Sequence, residues 1–270
     1  MMNSDGEPST LSNRGRPVNT RSCVLGLMTK YWESGQVKTR LGKSIGMDAA
    51  ADLHRQFVLH LCEHLGSIVG RRTICLSPAD SLSTARGELE SVGLAERWQI
   101  VPQVEGDLGE RMRHWFRTAL TNPGRREHHF SAILIGSDCP MLSPAEIAEA
   151  ADALQSNDVV IGPAYDGGYY LLGIAGPWQD ERFGCLFESM PWSSDRVLAM
   201  TREQLKQSNL AWAELNCRHD VDTKEDLDRL RHSLASQLQF DRRADELSVA
   251  IERVLGRSPT QAPSREEQTP

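Results

Sequence analysis

Short apolar runs alternate with amphipathic stretches along nearly all of this 270-residue chain, and no other feature limits its fold so strongly. The runs fall at residues 23–28, 73–76, 98–101, 131–135, 159–161, 169–174 and 212–215. Each is too short for a helix that buries a face, and most are rich in Ile, Leu and Val, as strands covered on both sides are. Helical patterns lie between and after them, at 48–65, 83–91, 108–120, 144–154, 193–207, 223–238 and 244–255. In the first of these, Leu53, Phe57, Leu61 and Leu65 recur every fourth residue and mark one apolar face. Pro144 suits the first turn of another. Such a βαβα order implies a mainly parallel sheet with helices on both faces. Residues 1–20 and 257–270 carry no apolar period and read as a disordered leader and tail around one domain at 21–256.

Composition narrows the function classes. The chain has 37 acidic and 30 basic residues, a net charge of −7, which disfavours non-specific binding to nucleic acid or to anionic membranes. No apolar run is long enough to span a bilayer. Six cysteines, at 23, 62, 75, 139, 185 and 217, form no CxxC pair and lack zinc-ligand spacing. Cys23, Cys62 and Cys75 read as small core residues. Scattered cysteines of this kind fit a reducing, cytoplasmic setting.

Chemistry concentrates in a few segments. In Ile133-Leu134-Ile135-Gly136-Ser137-Asp138-Cys139-Pro140 an apolar run ends in an acid, which places Asp138 where a strand leaves its sheet. Carboxyl ends of such strands are where ligands bind, and a carboxylate there suits Mg²⁺ or Mn²⁺; equally, Asp138 could cap the next turn or helix. The stretch 30–41, KYWESGQVKTRL, sets Lys30, Lys38 and Arg40 after the first strand, as a di- or triphosphate requires or as any solvated basic loop allows. Gly106 and Gly109 let the backbone approach a ligand, while Asp107 between them suits an N-cap. Asp166-Gly167-Gly168 is a strong turn signal. Beside it, Tyr165, Tyr169 and Tyr170 would also make a platform for a sugar or another polyol. Downstream, Asp220 and Asp222 fall on one side of an extended segment, and Thr223 with Asp226 has capping-box spacing. His128-His129 and Arg125-Arg126-Glu127 read as surface loop, and Cys139 lacks the partners of a nucleophile.

Six stretches, KYWESGQVKTRLGKSIG, EGDLGERM, LIGSDCPMLSP, DVVIGPAYDGGYYLLGI, LFESMPWSSDRVL and DVDTKEDL, occur in an order that resembles a bacterial transferase family associated with radical-SAM and selenodomain proteins. That family lies within the GT-A, or nucleotide-diphospho-sugar transferase, superfamily. The resemblance covers most of residues 24–230. It implies a GT-A fold, a Rossmann-like αβα sandwich, which binds a nucleotide or NDP-sugar donor and a small-molecule acceptor, with a functional link to a radical-SAM protein. It implies phosphate and nucleotide contacts from Lys30, Lys38, Thr39, Arg40, Gly106, Asp107 and Gly109. It implies Mg²⁺ or Mn²⁺ on Asp138 and Asp222, with Asp220 nearby, and an acceptor at Asp166, Gly167, Gly168 and Tyr169. Lys38 and Arg40 would stabilise a leaving diphosphate while Asp166 orients or deprotonates an acceptor hydroxyl. GT-A glycosyltransferases usually carry Asp-x-Asp at the metal position. The single acid here is closer to the nucleotidyltransferase branch, so glycosyl and nucleotidyl transfer both stand as expectations, beside a non-catalytic nucleotide-binding module.

Overall fold

The computed structural model describes residues 23–67, 70–121, 130–237 and 241–256. The leader, the tail, His128-His129 and Arg125-Arg126-Glu127 lie outside the described residues. Seven strands form one sheet: β1 (Cys23–Lys30), β2 (Arg71–Ser77), β3 (Gln99–Pro102), β4 (Ser131–Gly136), β5 (Val159–Pro163), β6 (Tyr169–Ala175) and β7 (Trp212–Glu214). Their order is β3-β2-β1-β4-β6-β5-β7. All adjacent pairs are parallel except those made by β6, which runs against both β4 and β5. This is the expected α/β sandwich with a mainly parallel, mixed sheet. The helices are α1 (Thr39–Ile45), α2 (Met47–Leu65), α3 (Leu82–Ser91), α4 (Leu108–Leu120), α5 (Pro144–Ala153), α6 (Asp180–Phe183), α7 (Val197–Gln207), α8 (Lys224–Gln237) and α9 (Arg242–Gly256).

Two compact units emerge, residues 23–31 with 57–221, and residues 32–56 with 222–256. The first holds the whole sheet. Apart from the edge strand β3, its strands bury most of their side chains, and Ile133, Leu134 and Ile135 of β4 are each at most 4% exposed. That is why the runs read as continuous rather than alternating. From α4, Met112, Trp115, Phe116 and Ala119 are buried at helical spacing. Gly26 of β1 is required by this packing, since a Cβ there would lie 2.3 Å from the Trp115 ring. Each large apolar side chain so buried contributes about 2 kcal/mol.

In the second unit α8 and α9 pair. Leu227, Leu234, Leu247, Ile251 and Val254 are buried, and Arg231 bonds Glu252 at 2.7 Å. Two helices depart from expectation. The basic stretch 39–45 is helical rather than loop. The pattern expected at 193–207 begins only at Val197, because Ser193 has a φ of 64° and Ser194 accepts from the Arg196 N–H in a turn. Among the described residues no helix is long and apolar enough to cross a membrane.

Candidate active site

From β1 the chain proceeds to β2 and β3 on one side of the sheet; from β4 it proceeds to the other side. Adjacent parallel strands that part in this way open a crevice outside their carboxyl ends. Lys30 closes β1 there, Gly136 closes β4, and Asp138 follows two residues later. The rim is tied together by polar side chains. Thr29 Oγ1 lies 3.3 Å from Ser137 Oγ, joining β1 to the β4 exit. The Gln103 amide donates to the carbonyls of Thr29 and Cys75, both at 2.8 Å, and accepts from Arg111 at 3.2 Å. Sequence reasoning missed Gln103 as a rim residue. Its only signal is a polar side chain directly after a short strand, and its partners are 74 and 28 residues away.

The two readings of Asp138 now separate. Helix α5 is capped by Ser143, which forms a complete capping box with Glu146 and is followed by Pro144. Asp138 therefore has no part in starting that helix. Its main-chain oxygen accepts from the Val221 N–H at 3.0 Å, while the Cys139 thiol donates to His219 O at 3.4 Å. The segment 219–221 thus runs beside 138–139, with Asp220 between the two anchor points. Cys139 is buried and committed to this bond, a structural duty rather than a nucleophile's.

At the β5–β6 connection, Asp166 Oδ1 accepts from the Gly168 N–H at 2.8 Å, closing the expected turn. Gly167 has a φ of +89°, and a Cβ there would stand 2.1 Å from Asp195 O, so only glycine fits. Tyr165 is 63% exposed and stacks on His219, ring centroids 4.0 Å apart at 20°. The expected three-tyrosine platform is corrected here. Tyr169 and Tyr170 are successive residues on a strand packed on both faces, so they point opposite ways and both go inward. The Tyr169 hydroxyl faces Met112 Sδ at 4.0 Å, away from any acceptor at the turn, and the Tyr170 hydroxyl donates to Asn216 O at 3.1 Å. Burial raises both phenols above their ordinary range.

The remaining expected contacts have structural partners. Asp107 is the N-cap of α4 in a capping box with Glu110, whose carboxylate accepts from the Asp107 N–H. Gly106 adopts a φ of +119° ahead of it. Gly109 makes room for Phe187 O and the Trp192 ring, which would lie 2.6 and 2.7 Å from a Cβ. In the second unit, Lys38 precedes α1 in the left-handed region, with φ 47° and ψ 39°. Its side chain is 3% exposed and its ammonium lies 3.1 Å from Asp222 Oδ1. Arg40, 75% exposed, lies 3.9 Å from Asp222 Oδ2, and Thr39 is the first residue of α1. Thr223 and Asp226 form the capping arrangement expected of their spacing, Asp226 Oδ2 accepting from the Thr223 N–H at 2.9 Å. Asp222 is thereby left to Lys38 and Arg40.

No cluster of three or more His, Cys, Asp or Glu able to hold a metal occurs among the described residues. Mg²⁺ typically takes one or two carboxylates and completes its shell with water and substrate phosphates, and Asp138 with the 219–221 segment fits that sparse donor set.

This fold is shared with nucleotide-diphospho-sugar transferases and nucleotidyltransferases. It matches a CMP:2-keto-3-deoxy-manno-octonic acid synthetase complexed with CTP at a TM-score of 0.50 and 11% identity, over 80% of this chain and 99% of that one. It matches 4-diphosphocytidyl-2C-methyl-D-erythritol synthase from Anaerococcus prevotii DSM 20548 at 0.50 and 10% identity, over 81% and 98%. At such identities the likeness is one of fold. The chain belongs to the family DUF2064, described as an uncharacterized protein conserved in bacteria, which it matches over residues 60–194. A protein of Desulfovibrio desulfuricans G20, described provisionally as a nucleotide-diphospho-sugar transferase, is 30% identical at a TM-score of 0.71, over 87% of this chain and 98% of that one. No curated protein matches the sequence.

Proposed function

We propose that this protein is a metal-dependent transferase that takes its group from a nucleotide-activated donor, an NDP-sugar, at the carboxyl edge of its sheet. The observation that carries the reading is Asp138. It stands at the switch point between β1 and β4, has no role in starting α5, and has Asp220 on the neighbouring segment. The 30% identity to a chain provisionally described as a nucleotide-diphospho-sugar transferase supports it. Asp138, with Asp220, would hold a divalent ion, which when bound neutralises charge on a leaving diphosphate. Lys30, at the end of β1, adds positive charge on the same rim. Within the second unit, the Lys38 ammonium is buried against Asp222 while Arg40 is exposed. Asp166, its Oδ1 fixed by the Gly168 N–H, presents Oδ2 to an acceptor hydroxyl.

A thermal-shift series of nucleotides and NDP-sugars, with and without Mn²⁺, tests this. A ligand at 100 times its Kd adds about 2.7 kcal/mol, or roughly 5–10 °C for a chain of this size. UDP or GDP release from the stabilising NDP-sugar completes the case; absence of any shift with every nucleotide refutes it. One observation favours a second reading, nucleotidyl transfer from an NTP to a phosphorylated acceptor: β4 ends in a single acid, Ser137-Asp138-Cys139, rather than Asp-x-Asp. Pyrophosphate release on mixing NTPs with phosphosugars would select it.

A further inference from the structure

We propose that the stacked pair Tyr165–His219 is the ring-binding face of the acceptor site, and that the acceptor is a neutral cyclic polyol of pyranose size. This rests on the transferase reading above and names the substrate class of that site.

The backbone that carries Tyr165, and that leading into His219, is fixed. Tyr165 N–H donates to Arg218 O, and Arg218 N–H donates to Pro163 O, each at 3.0 Å. Ala164 and Arg218 form an isolated parallel bridge, so the exits of β5 and β7 run side by side. The Arg218 guanidinium is anchored in turn to Glu146 at the start of α5. An aromatic surface prepared in this way loses little freedom when a ligand arrives. Yet Tyr165 remains 63% exposed, while its neighbours Tyr169 and Tyr170 go into the core.

The polar partner is the next residue. Asp166 Oδ1 is committed to the turn, which orients the carboxylate and leaves Oδ2 to accept from a ligand hydroxyl. A flat C–H face on an aromatic ring, with hydroxyls toward a carboxylate, is how a pyranose is recognised. An open-chain polyol has no such face, and a purely apolar ring would leave Asp166 unused. A phosphorylated ring is disfavoured by the negative charge of Asp166, the residue next to the exposed ring. The stack also has the right address. Two residues after His219, the Val221 N–H is bonded to Asp138 O, so this face flanks the acid on which the transfer reading depends.

Saturation-transfer NMR on the full chain tests the proposal. The probes are methyl β-D-glucopyranoside and myo-inositol against the open-chain glycerol and sorbitol. Cyclic probes should show saturation and open-chain ones should not. Tyr165→Phe should bind like the parent, Tyr165→Ala about tenfold more weakly, and Asp166→Asn more weakly than the parent. Melting curves should show both Tyr165 variants as stable as the parent. Equal responses from cyclic and open-chain probes, or parent-like ring binding by Tyr165→Ala, would overturn the assignment. Nucleotide thermal shifts are read separately. If they persist without ring binding, this inference fails alone; if ring binding persists without them, the transferase reading fails.

Discussion

Replacing Asp222 by Asn should cost far more than its position suggests, because of what it does to Lys38. The Lys38 side chain is 3% exposed, and the Asp222 carboxylate 3.1 Å away is an anionic partner that offsets its buried charge. Removing one partner of a fully buried pair costs about 3–5 kcal/mol. The Asp222 side chain is 37% exposed, however, so water screens the pair, and about 2 kcal/mol is the reasonable figure. That corresponds to a melting point lower by roughly 4–8 °C. Lys38→Met is different. It removes the buried charge and leaves an aspartate that water and Arg40 can satisfy, so its cost should stay under about 1 kcal/mol. The double variant should then lie within about 1 kcal/mol of the parent, better than Asp222→Asn alone. Urea or thermal unfolding of the four proteins, without nucleotide or metal, gives the cycle. If Asp222→Asn and Lys38→Met are equally mild and strictly additive, the ammonium is not held by Asp222.

Further outcomes follow from other sites. Asp138→Ala should lower metal-dependent turnover on the stabilising donor about 100-fold while the melting point of the unliganded protein stays within a few degrees; unchanged turnover removes Asp138 from the site. Gly109→Ala should destabilise by about 1–3 kcal/mol, because the new methyl meets Phe187 O and the Trp192 ring; a neutral result in urea unfolding would mean the glycine is kept for ligand approach instead. On β7, burial pushes the Glu214 carboxyl upward, but the Arg202 guanidinium, bonded at 2.8 and 2.6 Å, holds it below its ordinary 4.5 overall. A depressed carboxyl stabilises the fold above its unfolded value and loses that stability as pH falls through its folded value. Melting points should therefore drop on acidification below about pH 4.5, and Glu214→Gln should flatten that part of the profile.

The sheet and most helices were legible because their signals are local. Seven apolar runs became seven strands, Thr223 with Asp226 made the cap their spacing suggests, and Asp107 became the N-cap its position suits. The Asp138 ambiguity was also decidable locally, since Ser143-Pro144-Ala145-Glu146 already offers α5 a complete start. What stayed hidden depends on distant partners. The fate of the Lys38 ammonium is set by Asp222, 184 residues on, and that of Tyr169 by Met112, 57 residues back. Likewise, Tyr165 and Tyr170 are chemically alike in sequence. Only the pairing of the β5 and β7 exits leaves one ring in solvent on His219 and sends the other inward to Asn216.

The reversed strand β6 has a consequence for how such a protein can diversify. A parallel neighbour of β5 would need a crossover of a dozen or more residues back across the sheet before it could begin. Because β6 runs the other way, a turn of a few residues suffices, and that turn lies on the edge where β1 and β4 end. Lengthening that turn changes loop-closure entropy only slowly, provided Gly167 keeps its place against Asp195 and Ala164 its bridge to Arg218. That turn is still tied to the β4 exit, because the Tyr165 N–H is bonded to Arg218 O and the Val221 N–H, three residues on, to Asp138 O.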